Sequence, residues 1–498
     1  MKILKVGTVL LLAVTACMPR GGTVTNDIPA SMVFDHVAVV DVISGTVSEN
    51  MAVAVRGNRI LSVRRSSGAR FADATVIDAT GKYLIPGLWD MHVHAFTSPE
   101  STYALGARAT DVYFPQYLSA GVTGIRDMGG WVDTIMSVRR RVRGHQVLGP
   151  RIVAAGMLFG GKNPWAPSSP HVWVITSPDS ARAAVDSMKR AGADFIKAHD
   201  FLSRESYFAI AAAARADGLP LVGHLRPAVT IDEAIAAGQT GMEHLPIELI
   251  AACAGGGQKE VSSFYDQWVK GGWPAFVRIT DSLWSARKPG RCREIMETMK
   301  KAGAHITPTL VLRMQDSAFF RRVAQTDLTP AAVKRCSLDV KDWSKTADST
   351  RALYYRTIFD VVQAFHAAGV GILAGTDGVF GCLVPGWSLH EELEIFVRAG
   401  LSPLEALRSA TIVPARFMGM SDSLGTVAAG KIADLVLLER NPLTDIRNTR
   451  TVAGVVADGR WLSREALKNR GPTGRMASKT SPKRLKTSLK GILQEMSI

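Results

Sequence analysis

Six times along the middle of the chain a polar, alanine-rich segment ends in Ala-Gly or Asp-Gly and runs at once into a short apolar stretch. The instances are LSAGVTGIRD, KRAGADFIKAHD, ARADGLPLVGH, IAAGQTGMEH, KKAGAHITPTL and HAAGVGILAGTD. A glycine just past a helix suits a left-handed cap, and an apolar run without alternation suits a strand covered on both faces. With the runs at 88–94 and 151–156 there are eight such β segments alternating with helices. That order predicts an α/β chain of the (β/α)8 TIM-barrel type. An open doubly wound sheet is the alternative, weakened because no glycine-rich dinucleotide loop follows any strand.

The texture changes outside that span. Residues 32–86 and 424–463 alternate apolar and polar positions between turn signals such as Arg-Gly-Asn at 56–58, the pattern of short antiparallel strands. Both stretches flank the barrel, 87–423, so a small β-sandwich domain built from the two chain ends is expected. Two connections, His244 to His305 and Arg313 to Val370, run to about 60 residues each, and loops of that size beyond barrel strands shape pockets.

Polar residues interrupt the apolar runs at matched places. In GLWDMHVHAF, His92 and His94 share one face of a strand while Met91 and Val93 take the other. Two imidazoles on a buried face need something bound to their nitrogens, and a metal ion is the usual answer. The other strands end in Lys197 (DFIKAH), His224 (LVGH), His244 (GMEH) and Asp377 (LAGTD). Barrel enzymes gather their active sites at these C-terminal strand ends.

With KYLIPGLWDMHVH entering the barrel and KIADLVLLERNP returning to the small domain, residues 32–463 resemble the amidohydrolase superfamily, in its imidazolonepropionase-like and dipeptidase-like branch. The resemblance implies two divalent metal ions bridged by a CO2-derived carbamate on Lys197. His92, His94 and Asp377 would hold the more buried ion with the carbamate, and His224 and His244 the other. Histidine and carboxylate donors suit zinc, with manganese or another first-row ion open. Asp377 would also be catalytic, moving a proton from the metal-activated hydroxide to the leaving nitrogen.

The implied reaction is hydrolysis of a carbon–nitrogen amide bond in a dipeptide or N-acyl amino acid, or of a cyclic amide such as an imidazolone. Deaminases of the superfamily place a catalytic glutamate beside the strand-five histidine, where this chain has Leu225. A catalytically silent, metal-free barrel acting as a binding module is the rival from another class; it would be expected to have lost ligands, yet all six positions are filled.

Other polar residues carry less. Arg226, two residues after His224, could clamp a substrate carboxylate or form a salt bridge at the barrel mouth. His199, two residues past Lys197, faces the same way, toward substrate or in support of the site. Arg126 and Asp127 in IRDMGG are read first as a structural ion pair and second as substrate contacts. His171, in the long loop after the third strand, could cover the pocket.

Composition adds the cellular setting. The chain has 498 residues, 47% of them hydrophobic, enough for substantial cores. MKILKVGTVLLLAVTAC has the basic start, apolar centre and small residues of an export signal, and its end resembles a lipobox. Residues 1–17 are therefore expected to be a lipoprotein signal peptide, with lipid on Cys17 and Met18 leaning toward outer-membrane sorting. The expected location is the periplasmic side of a bacterial membrane, held by that anchor. Such a compartment permits disulfides, and Cys253, Cys292, Cys336 and Cys382 allow three complete pairings. A Cys253–Cys292 bridge is the working choice.

The formal charge of +15 would suit nucleic acid, but its distribution does not. From Ala466 onward eight Lys or Arg stand against Glu495 alone, so 466–498 reads as a flexible basic tail. Without stacking or groove-reading motifs, nucleic acid is set aside. A small-molecule substrate is the expected partner, and a homo-oligomer stays open.

Overall fold

The computed structural model describes residues 31–67, 74–96, 109–162, 171–225, 228–323, 330–378 and 381–468. Cys17, Arg226 and residues 469–498 of the basic tail lie outside the described residues. Residues 466–468, assigned to the tail from sequence, instead belong to the helix Arg464–Lys468.

All eight expected barrel strands are present and parallel. Leu88–Val93, Val122–Asp127 and Arg151–Ala154 form one hydrogen-bonded run. Leu158–Gly160, Ile196–Ala198, Leu221–Gly223, Gln239–Glu243, His305–Thr307 and Gly371–Ile372 form a second, with Val172–Val174 added at its edge. The short strands Leu158–Gly160 and Val172–Val174 are additions to the expected set. Backbone bonds from Met91 N to Ala374 O (2.8 Å) and from Leu373 N to Ile306 O (2.9 Å) link the last strand region to the first strand and to its other neighbour.

Every residue of Leu88–Val93 and Val122–Asp127 is buried, which is why neither shows apolar–polar alternation. The helices bear their apolar residues at helical spacing. In Pro178–Ala191 the buried set is Ala181, Ala184, Val185 and Met188, between a Ser177 capping box and Gly192 in the left-handed region.

The two chain ends do meet, but in one mixed sheet. Its order is Arg460–Ser463, Val452–Ala457, Leu435–Leu438, Tyr83–Pro86, Met32–Val40, Val47–Arg56 and Arg59–Arg65, with Thr75–Asp78 also pairing Met32–Val40. The seam is the antiparallel pair Tyr83–Pro86 and Leu435–Leu438. Phe34, Val53, Leu84, Leu435 and Val456 bury one shared core across it. The second end extends the sheet of the first, and Arg59 in the last strand of that order bridges back to Ile432.

The two long connections are helical. The first holds Ile247–Cys253, Gln258–Ser285, which breaks at Gly272, and Pro289–Lys301. The second holds Ser317–Val323, Pro330–Ser344 and Asp348–Ala367. Disulfides Cys253–Cys292 and Cys336–Cys382 fasten them, the first being the pairing chosen from sequence. Among the described residues no helix is long and apolar enough to cross a membrane.

Candidate metal centre

The strand Leu88–Val93 delivers His92, and His94 follows just past its end. Asp377 N donates to His92 O at 2.7 Å, and His94 N to Gly378 O at 2.5 Å, so the segment carrying Asp377 is laced to the one carrying both histidines. His92 Nε2 and His94 Nε2 lie 3.5 and 3.4 Å from Asp377 Oδ1. The three residues offer ligand atoms all within 4.8 Å of one another.

Both imidazoles are turned by their other nitrogen. His94 Nδ1 is 2.8 Å from Gly129 O; a carbonyl only accepts, so Nδ1 carries the proton and Nε2 is left bare. His92 Nδ1 lies 2.7 Å from Glu243 Oε2, with the same consequence. Arg126 holds Glu243 in turn, its Nη2 donating at 2.9 Å to Oε1 and its Nε at 2.6 Å to Met91 O.

His224 and His244 complete a ring of imidazoles. The His92 and His244 ring centroids are 4.4 Å apart, and those of His224 and His244 4.9 Å. His224 Nδ1 meets Asp200 Oδ1 at 2.5 Å, and His244 Nδ1 meets Thr309 Oγ1 at 2.9 Å. Gly223, at φ +143°, admits this packing, since a Cβ there would sit 2.0 Å from Ala198 O. His199 stacks 4.5 Å from His224 and belongs to a second cluster with Asp200 and His224. Because Asp200 is engaged with the far nitrogen of His224, we read that trio as an orienting group.

Lys197 sits in the middle of the strand Ile196–Ala198, 1% exposed. Burial pulls its ammonium below the ordinary lysine range, while Glu243 and Asp377 oppose the shift. Burial likewise drives His92, His224 and His244 well below the ordinary histidine value and His94 to about 3, with positive charge at Lys197 acting the same way. The imidazoles are thus neutral, the form that ligates. Burial raises the Asp377 carboxyl, against the pull of Lys197 and Arg313.

His244, Leu245, Thr309 and Asp377 all have positive φ without being glycine, and all lie just beyond neighbouring strands. Such conformations cost roughly 1–3 kcal/mol each and gather where function over-determines the backbone. Above them opens a cavity of about 460 Å³. His171, His199 and Arg313 reach it, and the two long connections wall it with Phe264, Trp268 and Tyr354.

The sequence-predicted residues His92, His94, Lys197, His224, His244 and Asp377 therefore converge, and His199 and His171 line the same space. The Arg126–Asp127 ion pair does not form: neighbours on a strand face opposite ways, and Arg126 pairs with Glu243 while Asp127 accepts from Ala95 N and Gly129 N. Glu243 and Asp200, each adjacent to a residue already singled out, were missed as the groups that aim the histidines.

Comparison with known proteins settles the lineage. The model of the Amidohydrolase family matches residues 83–462. The chain belongs to the amidohydrolase family. This is a family of hydrolases acting on carbon–nitrogen bonds. Among solved structures, this amidohydrolase resembles the bottromycin amidohydrolase, with 22% identity, 92% of each chain covered and a TM-score of 0.67. It also resembles a Xaa-Pro dipeptidase with methionine bound in its active site, with 20% identity, 87% of this chain and 99% of that one covered, and a TM-score of 0.61. An adenine deaminase of Rubrobacter xylanophilus is 36% identical over 122 residues, 23% of this chain and 20% of the relative. The match therefore spans about a fifth of that curated relative's length.

Proposed function

We propose that this amidohydrolase cleaves the amide bond of dipeptides or N-acyl amino acids with two divalent ions, zinc foremost, inside a closed (β/α)8 barrel. The ligands are His92, His94, Lys197 as its carbamate, His224, His244 and Asp377. The observation carrying this reading is a set of buried atoms with no hydrogen-bond partner among the described residues: His92 Nε2, Lys197 Nζ and Asp377 Oδ1. Each such group costs about 1–3 kcal/mol when left unsatisfied, and more when charged. A cation is the partner that the His92 nitrogen and the Asp377 oxygen share, so the donor set fits the metal.

When bound, the ions supply a water of near-neutral pKa and polarise the scissile carbonyl. The chain's own residues do the rest. Lys197, held toward its neutral form by burial, adds as the amine to CO2; an N–C bond forms as one C–O π bond opens to the carboxylate, one proton leaves the nitrogen, and a negative group stands where the neutral amine stood. Glu243 and Gly129 O keep His92 and His94 with Nε2 facing inward. Asp377, raised by burial, accepts the proton of the attacking water and returns it to the leaving nitrogen. Export as a lipoprotein anchored through Cys17, facing the periplasm, is supported by the leader sequence and suits the scavenging of small peptides.

The adenine deaminase likeness favours a second reading, release of ammonia from an aminopurine. One experiment separates them: the zinc-loaded protein in bicarbonate is offered a library of dipeptides and N-acyl amino acids, and adenine. Amino acid release, two ions per chain, and joint loss of hydrolysis and of two-metal occupancy in Lys197→Ala are expected. Full activity in Lys197→Ala rejects the mechanism, and ammonia without amino acid release moves the assignment to deamination.

A further inference from the structure

Arg313 stands out among the residues that line the cavity. It is the one arginine or lysine in that lining among the described residues, and it is exposed at the mouth. None of the described carboxylates lies within ion-pair distance of it. The other acids of the cavity are engaged: Asp200 with His224, Glu243 with Arg126, and Glu248 with the Tyr265 hydroxyl at 3.0 Å.

Its backbone is built to stay put. Arg313 closes the 3-10 turn Leu310–Leu312, its N donating to Leu310 O at 2.9 Å. The buried Glu392 clamps that turn by accepting from Leu310 N at 2.9 Å and Val311 N at 2.7 Å. On the other side the guanidinium lies over Trp273, 5.7 Å from the ring centroid, with Trp273 against Phe276 and Tyr354 at 5.0 and 4.8 Å. Stacking on an aromatic face holds the fork while leaving its edge donors available. Arg313 and Asp377 line the same cavity.

We propose that Arg313 is the specificity residue that anchors a free carboxylate on the substrate, with the Phe264, Trp268, Phe276 and Tyr354 wall receiving an apolar side chain beside it. The inference rests on the amide-hydrolase reading above. It narrows the substrate class to compounds in which the residue released carries its own α-carboxylate and a large apolar side chain. A planar fork meeting a carboxylate gives two parallel charge-assisted hydrogen bonds, which a neutral amide in the same place cannot accept as strongly.

The test compares N-acetyl-L-phenylalanine with its carboxamide, which present the same scissile bond and differ in the carboxylate. The wild-type protein is expected to prefer the acid by roughly 10- to 100-fold in kcat/KM. Arg313→Met should abolish the preference through KM with kcat kept, and Arg313→Lys should restore part of it. A circular dichroism spectrum and thermal transition matching those of the wild-type protein show that Arg313→Met is folded. A preference that survives Arg313→Met overturns the proposal.

Equilibrium binding of L-phenylalanine, which carries the same carboxylate and side chain and has no bond to cleave, tests the same contact without turnover. Binding at least about tenfold weaker in Arg313→Met supports the anchor even where neither compound is cleaved, which would sink the amide-hydrolase reading alone. Equal binding by both proteins overturns the anchor.

Discussion

Replacing Glu243 by leucine strips the carboxylate from a buried ion pair and leaves Arg126, 1% exposed, with its charge uncompensated. Arg126 keeps bonds to Met91 O at 2.6 Å and Thr307 Oγ1 at 3.1 Å, and its cation lies over the Phe195 and Phe417 rings at 5.7 and 5.3 Å. Those contacts do not neutralise it. Breaking a buried pair from one side costs about 3–5 kcal/mol. With an unfolding entropy of about 2 cal/mol/K per residue over about 400 ordered residues, that corresponds to a fall in Tm of roughly 4–6 °C.

Calorimetry on Glu243→Leu, Arg126→Met and the double variant supplies the assay. The double variant removes both charges and fills the space with apolar atoms, so it should recover most of the loss. Separately, Glu243→Gln keeps an acceptor for Arg126 but not the charge and weakens the acceptor behind His92, so it should bind zinc about 10- to 100-fold more weakly and lower Tm by less than Glu243→Leu does. A double variant whose loss equals the sum of the two singles would refute the reasoning, because the charges would then have been acting independently.

Two further outcomes follow from the geometry. The Cys253–Cys292 bridge closes a loop with a sequence separation of 39, for which chain entropy gives about 4 kcal/mol; replacing both cysteines by alanine should lower Tm measurably, and an unchanged thermal transition would contradict it. The Arg204 guanidinium, helped by Thr230 N, holds Glu233 at about 2, below the ordinary glutamate value. A depressed folded value means stability present above the unfolded pKa and lost as pH falls toward the folded one. The Tm gap between wild type and Glu233→Gln should be widest near pH 6, worth under about 1 kcal/mol after solvent screening, and should close as pH drops from about 4 to 2.

Much of the barrel was legible because its punctuation is local. Gly121, Gly192, Gly218, Gly238, Gly303 and Gly369, the six glycines of the repeated phrase, all have positive φ, and a strand follows each by a residue or two except Gly192 and Gly218, where it starts at Ile196 and Leu221. The six ligand-type residues were legible because strand ends share one address. What escaped was whatever depended on broken alternation. Glu243 and His244 are neighbours, so a regular strand would turn them to opposite faces; His244 has φ +65°, and both side chains reach the site. The single sheet of the small domain escaped for another reason: alternation reports which strands are half-buried, not which edges join.

Burial alone does not distinguish the candidate site carboxylate from the others. Asp90 and Asp127 are raised to about 7 and Glu392 to about 8, each first of all by loss of water, and Asp377 is raised by the same cause. The difference lies in their partners. Asp90 accepts from Thr376 N and Oγ1, Asp127 from Ala95 N and Gly129 N, and Glu392 from Leu310 N and Val311 N. Those three carboxylates tie loops to the barrel rim, and their oxygens are committed. Asp377 Oδ1 is buried, faces two bare imidazole nitrogens at 3.4 and 3.5 Å, and has no donor among the described residues. Nitrogen and oxygen lone pairs turned toward one another repel unless a positive centre stands between them. That arrangement, rather than an elevated pKa, is what sets Asp377 apart as a candidate metal ligand, the position from which the proposed mechanism has it carry the proton.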